Sequence, residues 1–166
     1  SQGAGRIAGL LHLDNLIMFY DANEIQLSTE CDVVMSEDTK MKYQAWGWNV
    51  LEINGNDLDE IRDALKKANE EKTRPTLIIG HIMGKGAIKG VGTSYERNVN
   101  THGAPLGHDS YVNTVKNLDG DIDNPFVIFD DVKELYENRR KELLEIVGKR
   151  HQEENKWREA NPETAK

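Results

Sequence analysis

Two short stretches combine residue types that can do chemistry. The first is Tyr20-Asp21-Ala22-Asn23-Glu24-Ile25-Gln26-Leu27. The amide oxygen of Asn23 is a hard donor of the kind that Mg²⁺ or Ca²⁺ takes, and a loop carbonyl beside it can supply a second oxygen. An asparagine just past a strand is more often a plain turn residue, because it tolerates left-handed geometry and bonds its own backbone. The second stretch is Asn100-Thr101-His102-Gly103-Ala104-Pro105-Leu106-Gly107. A loop histidine can donate to a phosphate or to a sugar hydroxyl, and the phosphate charge shortens and strengthens such a bond. Pro105 fixes one backbone angle, and the flanking glycines permit conformations that a Cβ would block. Taken alone, His102 reads as a solvated loop histidine.

Alternating elements must position these stretches. Residues 16–21 are a short apolar run that ends in polar residues, the signal of a buried strand. A helix is expected over 36–46 with Ser36 as its N-cap. A second strand follows over 49–53, then a turn through Asn54-Gly55-Asn56-Asp57. Asp57 and Glu60 have capping-box spacing, and Leu58, Ile61, Leu65 and Ala68 make one apolar helical stripe. Residues 76–82 are apolar at nearly every position, as in a strand buried on both faces. Strand–helix alternation then predicts an α/β fold, a parallel sheet with flanking helices. Ligands of such sheets bind beyond the carboxyl ends of the strands, which is where Asn23 falls.

From Gly84 to Gly107 the periodicity stops. Gly84, Gly86, Gly90, Gly92, Gly103 and Gly107 punctuate a loop of about 24 residues, a length that is usually functional or disordered in a compact domain. Few apolar anchors and little regular hydrogen bonding are expected from Gly84 to Thr101. A short helix is expected over 109–118, and a charged helix over 132–159 with apolar residues at Val132, Leu135, Tyr136, Leu143, Ile146 and Val147.

Composition narrows the partners. The 166 residues carry a net charge of −8, which argues against nucleic acid, since phosphate backbones are met by clustered Lys and Arg. The single cysteine, Cys31, excludes an internal disulfide framework and suggests a reducing compartment. No apolar run approaches the roughly 20 residues of a membrane span, and no secretory signal pattern opens the chain.

Taken together, the two stretches are similar to transketolases. The Tyr-Asp-x-Asn-x-Ile loop, Glu37-Asp38-Thr39, Ala45-Trp46-Gly47-Trp48, Asn54-Gly55, Thr101-His102-Gly103-Ala104-Pro105-Leu106-Gly107 and Pro125-Phe126 follow the family pattern in order along nearly the whole chain. The resemblance implies a thiamine diphosphate-binding fold and transfer of a two-carbon ketol unit between sugar phosphates. The cofactor's thiazolium does the bond-breaking chemistry, and the protein supplies binding and orientation. The resemblance assigns the side-chain oxygen of Asn23 and the carbonyl of Ile25 to a divalent metal, Mg²⁺ or Ca²⁺, that bridges the diphosphate. It places His102 between diphosphate and donor sugar, as a cofactor-binding, substrate-binding and catalytic residue. It further implies a cytoplasmic enzyme of the pentose phosphate pathway, working as a homodimer or with a split partner subunit.

The departures carry information too. The family's Gly-Asp-Gly metal motif is missing; Asp119-Gly120-Asp121 is the reverse pattern, far downstream. The family's activating glutamate belongs to a following domain. Residues 1–130 are therefore expected to be the C-terminal part of the thiamine diphosphate-binding domain, and residues 131–166 a helical linker toward a second domain. On this reading the chain alone is inactive. A related thiamine diphosphate enzyme, such as a deoxyxylulose-phosphate synthase or phosphoketolase, and a non-catalytic module of the same fold are the alternatives. His81 is expected to be a packed core histidine, His12 a helix-end residue, and His108 and His151 surface residues. Lys85, in Gly84-Lys85-Gly86, is a solvated lysine or a phosphate contact. Asp21 shapes its loop, Trp46 and Trp48 pack, and Cys31 receives no role.

Overall fold

The apolar run at 76–79 becomes the centre of the molecule. In a computed structural model, which describes residues 2–81, 89–96 and 98–165, β3 (Thr76–His81) lies between β1 (Ile17–Ala22) and β2 (Asn49–Asn54). Both pairings are parallel, with Tyr20 and Glu52 flanking Ile79. Leu77 and Ile78 are fully buried although they point to opposite faces. A strand with no wet face has to be apolar at consecutive positions, which is the reason for the unbroken run. The expected parallel α/β sheet is borne out. Ile82 and Gly84-Lys85-Gly86 lie outside the described residues.

Each face of the sheet has its own cover. On one face α1 (Gln2–Leu10) and α2 (Thr39–Ala45) bring Ala8, Tyr43 and Trp46 over Met18, Tyr20, Val50, Leu77 and Ile79. Trp48 completes this layer. It is 2% exposed, and its Nε1–H donates to the Gly5 carbonyl at 2.8 Å, so the indole polar group is satisfied inside the core. The reading of Trp46 and Trp48 as packing residues holds. On the other face α3 (Leu58–Glu70) lays Ala64 and Ala68 on Ile78, beside Ile17, Leu51 and Ile53.

Several local expectations are corrected. Helix α2 begins at Thr39, three residues later than expected, with Asp38 and not Ser36 as N-cap; the Asp38 carboxylate accepts from the Met41 N–H at 2.8 Å. An aspartate satisfies that donor and also favours the positive end of the helix dipole. Asp57 caps α3 through the amides of Asp59 and Glu60, but the reciprocal half of the box is not made. Glu60 accepts from the Asn54 N–H instead, at 2.8 Å. The buried stripe of α3 runs through Ala64 and Ala68, while Leu58 is 66% exposed. Small residues let the helix approach the sheet closely. His81 is no core residue: its side chain is 45% exposed at the carboxyl end of β3 and faces Glu52.

The chain divides into two compact units, residues 1–122 and 123–166. The first ends with α4 (His108–Asn117). The second holds α5 (Asp130–Ala160), whose ion pairs at three- and four-residue spacing join Asp130 to Lys133, Glu137 to Arg140, Arg139 to Glu142 and Glu154 to Arg158. None of the residues of α5 is buried. Among the described residues no helix is long and apolar enough to cross a membrane.

The α1–Trp46 crossing yields a stability test. A Cβ at Gly9 would stand 1.7 Å from the Trp46 carbonyl oxygen, whereas one at Gly3 would meet nothing within 4 Å. Gly9→Ala should cost about 1–3 kcal/mol, the usual cost of overpacking. Gly3→Ala should be neutral to slightly stabilising. Urea denaturation of both variants checks the contrast, and equal stabilities would contradict the close approach.

Candidate functional site

Where β1 ends, the chain makes a small hairpin. Gln26 N–H donates to the Thr29 carbonyl (3.0 Å) and Cys31 N–H to the Glu24 carbonyl (2.9 Å). The bridge between them pairs Ile25 with Glu30 in antiparallel fashion. These two bonds flank the pair, so Ile25 is its non-hydrogen-bonded member, and its own N–H and C=O point away from Glu30. The N–H goes to the Asn23 side-chain oxygen at 3.2 Å. The Asn23 amide nitrogen turns toward Asp21 at 3.5 Å, the loop-shaping part expected of Asp21. Asn23 Oδ1 and the Ile25 carbonyl thus leave the chain on one edge. Glu24 between them holds φ +63°, a left-handed conformation uncommon outside glycine, asparagine and aspartate. Ile25 itself is 4% exposed, which anchors the hairpin to the protein.

The second stretch arrives at the tip of this hairpin. A 3₁₀ turn at Val99–Thr101 is capped by Asn98, whose side chain accepts from the Asn100 N–H, and it ends with His102 at helical angles. Thr101 is buried and bonds the Asn98 carbonyl through its hydroxyl at 2.6 Å. The His102 ring is exposed and makes no hydrogen bond with the described residues. Gly103 lies against Leu27: a Cβ there would stand 3.4 Å from Leu27 Cδ2. Two stretches far apart in the sequence therefore approach each other at Leu27 and Gly103, the first carrying Asn23 and Ile25 and the second His102.

Among the described residues no three His, Cys, Asp or Glu side chains form a metal-binding group. Asn23 and Ile25 offer two neutral hard oxygens. That set fits Mg²⁺ or Ca²⁺ only when anionic oxygens from a bound ligand complete the shell, the usual arrangement at phosphate sites.

Residues 1–166 match the family described as transketolase, thiamine diphosphate binding domain. The chain belongs to the transketolase family. It is 37% identical over 83% of its length to a transketolase of Staphylococcus epidermidis and 33% identical over 99% to that of Bacillus subtilis, and it spans 20% and 24% of those proteins. Among solved structures, a transketolase of Leishmania mexicana matches 97% of the chain with a TM-score of 0.86 at 27% identity, covering 24% of that protein. A transketolase variant of Pichia stipitis in complex with fructose-6-phosphate matches 98% with a TM-score of 0.86 at 25% identity, again covering 24% of that protein. The family resemblance read from the motifs is borne out.

This transketolase-family chain also holds features that the sequence reading passed over. Beside the end of β1 a cleft is lined by Tyr20, Cys31, Asp38, Lys40, Glu52 and His81. Within that lining Glu52 is bonded to the Lys40 ammonium and, at 3.1 Å, to His81 Nε2. Burial, with Cys31 nearby, raises the Tyr20 phenol. The loop from Lys89 onward is not the sparsely bonded segment expected: Asn117 of α4 donates to the Val91 carbonyl at 3.0 Å, and Glu96 accepts from the Gly92 N–H at 2.8 Å.

Lys40 first, then His81, hold the Glu52 carboxyl below its ordinary value of 4.5. A carboxyl depressed in the folded state adds stability above that ordinary value and loses it as pH falls through the folded one. Glu52→Gln should therefore lower Tm modestly at neutral pH, and the difference should vanish as pH drops well below 4.5. Thermal melts of both proteins between neutral and strongly acid pH check this. A constant offset at every pH would show that the pairing contributes nothing.

Proposed function

We propose that this chain serves a transketolase: it holds thiamine diphosphate through a divalent metal, for transfer of a two-carbon ketol unit between sugar phosphates. The observation that carries the reading is the contact of Leu27 with Gly103, which brings the Asn23–Ile25 hairpin and the H-G-A-P-L-G loop together at the ligand-binding end of a parallel sheet. Family membership supports the cofactor class, and the Pichia stipitis relative in complex with fructose-6-phosphate supports the substrate class.

In this proposal Asn23 Oδ1 and the Ile25 carbonyl hold Mg²⁺, or Ca²⁺ in its place, at the diphosphate. Asn23 is held ready by its bond to the Ile25 N–H, which fixes the side chain before any ligand arrives. Such preorganisation lowers the entropy lost on binding. Thiamine diphosphate, when bound, supplies the thiazolium carbon at which the ketol carbon–carbon bond is cleaved and re-formed. His102 donates toward diphosphate or donor sugar from an exposed position, where its ring can take either partner. A charge-assisted bond from it orients the donor sugar against the cofactor. The activating glutamate of the following domain, from a second copy of the parent chain or from a split partner subunit, completes the site, and the work is cytoplasmic, within the pentose phosphate pathway.

Asn23→Ala in the full-length protein tests the metal assignment. It should leave the fold intact, because Asn23 is partly exposed on a loop. It should weaken magnesium-dependent thiamine diphosphate binding by about tenfold to a hundredfold, the usual loss at tuned metal sites. Ile25→Val should do far less, since it keeps the carbonyl. Cofactor titrations at several magnesium concentrations decide. Wild-type affinity and metal dependence in Asn23→Ala would return the residue to a plain turn former.

A further inference from the structure

We infer that Lys89 is the positioning residue of the His102 loop. Its ammonium donates to the Thr101 carbonyl at 2.6 Å and to the Ala104 carbonyl at 2.5 Å. Those two carbonyls bracket His102 and Gly103, so one cation closes over the segment that carries the imidazole. The inference rests on the reading of residues 101–107 as a ligand-facing loop, and it adds the part that sets the loop's shape.

The two sides of His102 are held very differently without Lys89. Upstream, the Thr101 N–H reaches the Asn98 carbonyl at 2.9 Å and the His102 N–H the Val99 carbonyl at 3.0 Å, while Thr101 is buried. Downstream, among the described residues, no backbone N–H from Gly103 to Leu106 finds a carbonyl, and regular bonding resumes only with Tyr111 N–H to Gly107. Ala104 and Pro105 are exposed. The bond from Lys89 to Ala104 is therefore the hydrogen bond that holds the downstream half, beside the packing of Gly103 on Leu27. An ammonium has three donors and no acceptor, so it can serve two carbonyls at once. Bonds from a charged donor are shorter and stronger than those between neutral groups.

The base of this strut is itself anchored. Gly90 follows Lys89 at φ +83°, and a Cβ there would stand 3.0 Å from Tyr95 Cβ, so the chain must turn at a glycine. The Thr93 N–H and hydroxyl both bond the Gly90 carbonyl, at 2.9 Å and 2.7 Å. Asn117 of α4 clamps Val91. Lys89 thus runs from a turn fixed on α4 to the loop fixed on Leu27, and it sets the place of His102 without touching the ring.

Lys89→Met keeps the stem and removes the cation; Lys89→Arg keeps a charged donor. Both are made in the full-length protein and followed by hydrogen exchange with mass spectrometry. Lys89→Met should speed exchange of the hydrogen-bonded Thr101 and His102 amides about tenfold, as expected for a locally opened segment, with Leu77–Ile79 unchanged. Lys89→Arg should restore most of the protection. Thiamine diphosphate titrations with magnesium form the second arm, as a double-mutant cycle with His102→Ala. Lys89→Met should weaken binding in the native background and have little further effect once His102 is gone. Unchanged exchange at Thr101 and His102, or an equal loss of affinity in both backgrounds, overturns the role. Should His102→Ala alone leave cofactor binding untouched, the ligand-facing reading of the loop fails, and the exchange data still decide on Lys89.

Discussion

Burial of β3 on both faces is the constraint from which the rest follows. Thr76 to Ile79 are 0–3% exposed, so each neighbouring layer must present apolar surface at a fixed height. Parallel pairing on both sides then forces all three strands to end at the same level. The carboxyl ends of β1, β2 and β3 therefore share one edge, beyond the apolar layers. That edge is where the hairpin, the Glu52 cleft and the His102 loop lie. A covered sheet determines where chemistry is possible, and the loops determine which chemistry it is.

Those loops are held by a second class of interaction. Asn23 bonds the Ile25 amide, Asn54 the Asn56 amide, and Asn98 the Asn100 amide, each two residues along the chain. An amide side chain mimics a backbone turn at that spacing and closes a ring that costs little chain entropy. Two exits from strands, after β1 and at the end of β2, and the entry to a 3₁₀ turn use the same device. A metal reading for Asn23 must therefore be consistent with its turn role, and the geometry makes it so. The oxygen that accepts from Ile25 has a second lone pair, and the Ile25 carbonyl leaves on the same edge.

What was legible in the sequence divides along the same line. The run at 76–79, the helix around Ala64 and the packing of Trp48 are periodic or apolar signals, and each survives in the structure. Capping was legible in kind but not in partner. Ser36 and Asp38 are both competent N-caps, and only the path of the chain decides which one reaches the Met41 amide. His81 was misread because it closes an apolar strand, yet strand ends lie outside the buried layers. In the candidate site, Asn23, Ile25 and His102 could be found by motif, whereas the left-handed Glu24 and the Leu27–Gly103 contact could not.

Lys89 shows why such residues escape a sequence reading. Its partners lie 12 and 15 residues away, and they are carbonyls, which every residue has. No side-chain pattern announces the pairing. Yet a long cationic side chain suits this task physically. A loop without a ladder can be fixed only by donors that come from elsewhere, and backbone donors arrive in rows that would turn it into a strand or helix. A lysine brings its donors singly, at the end of a stem long enough to cross the gap between a turn and the loop. The segment beside His102 can then stay exposed, irregular and in one shape, which is what an imidazole needs if it is to meet a ligand from solvent.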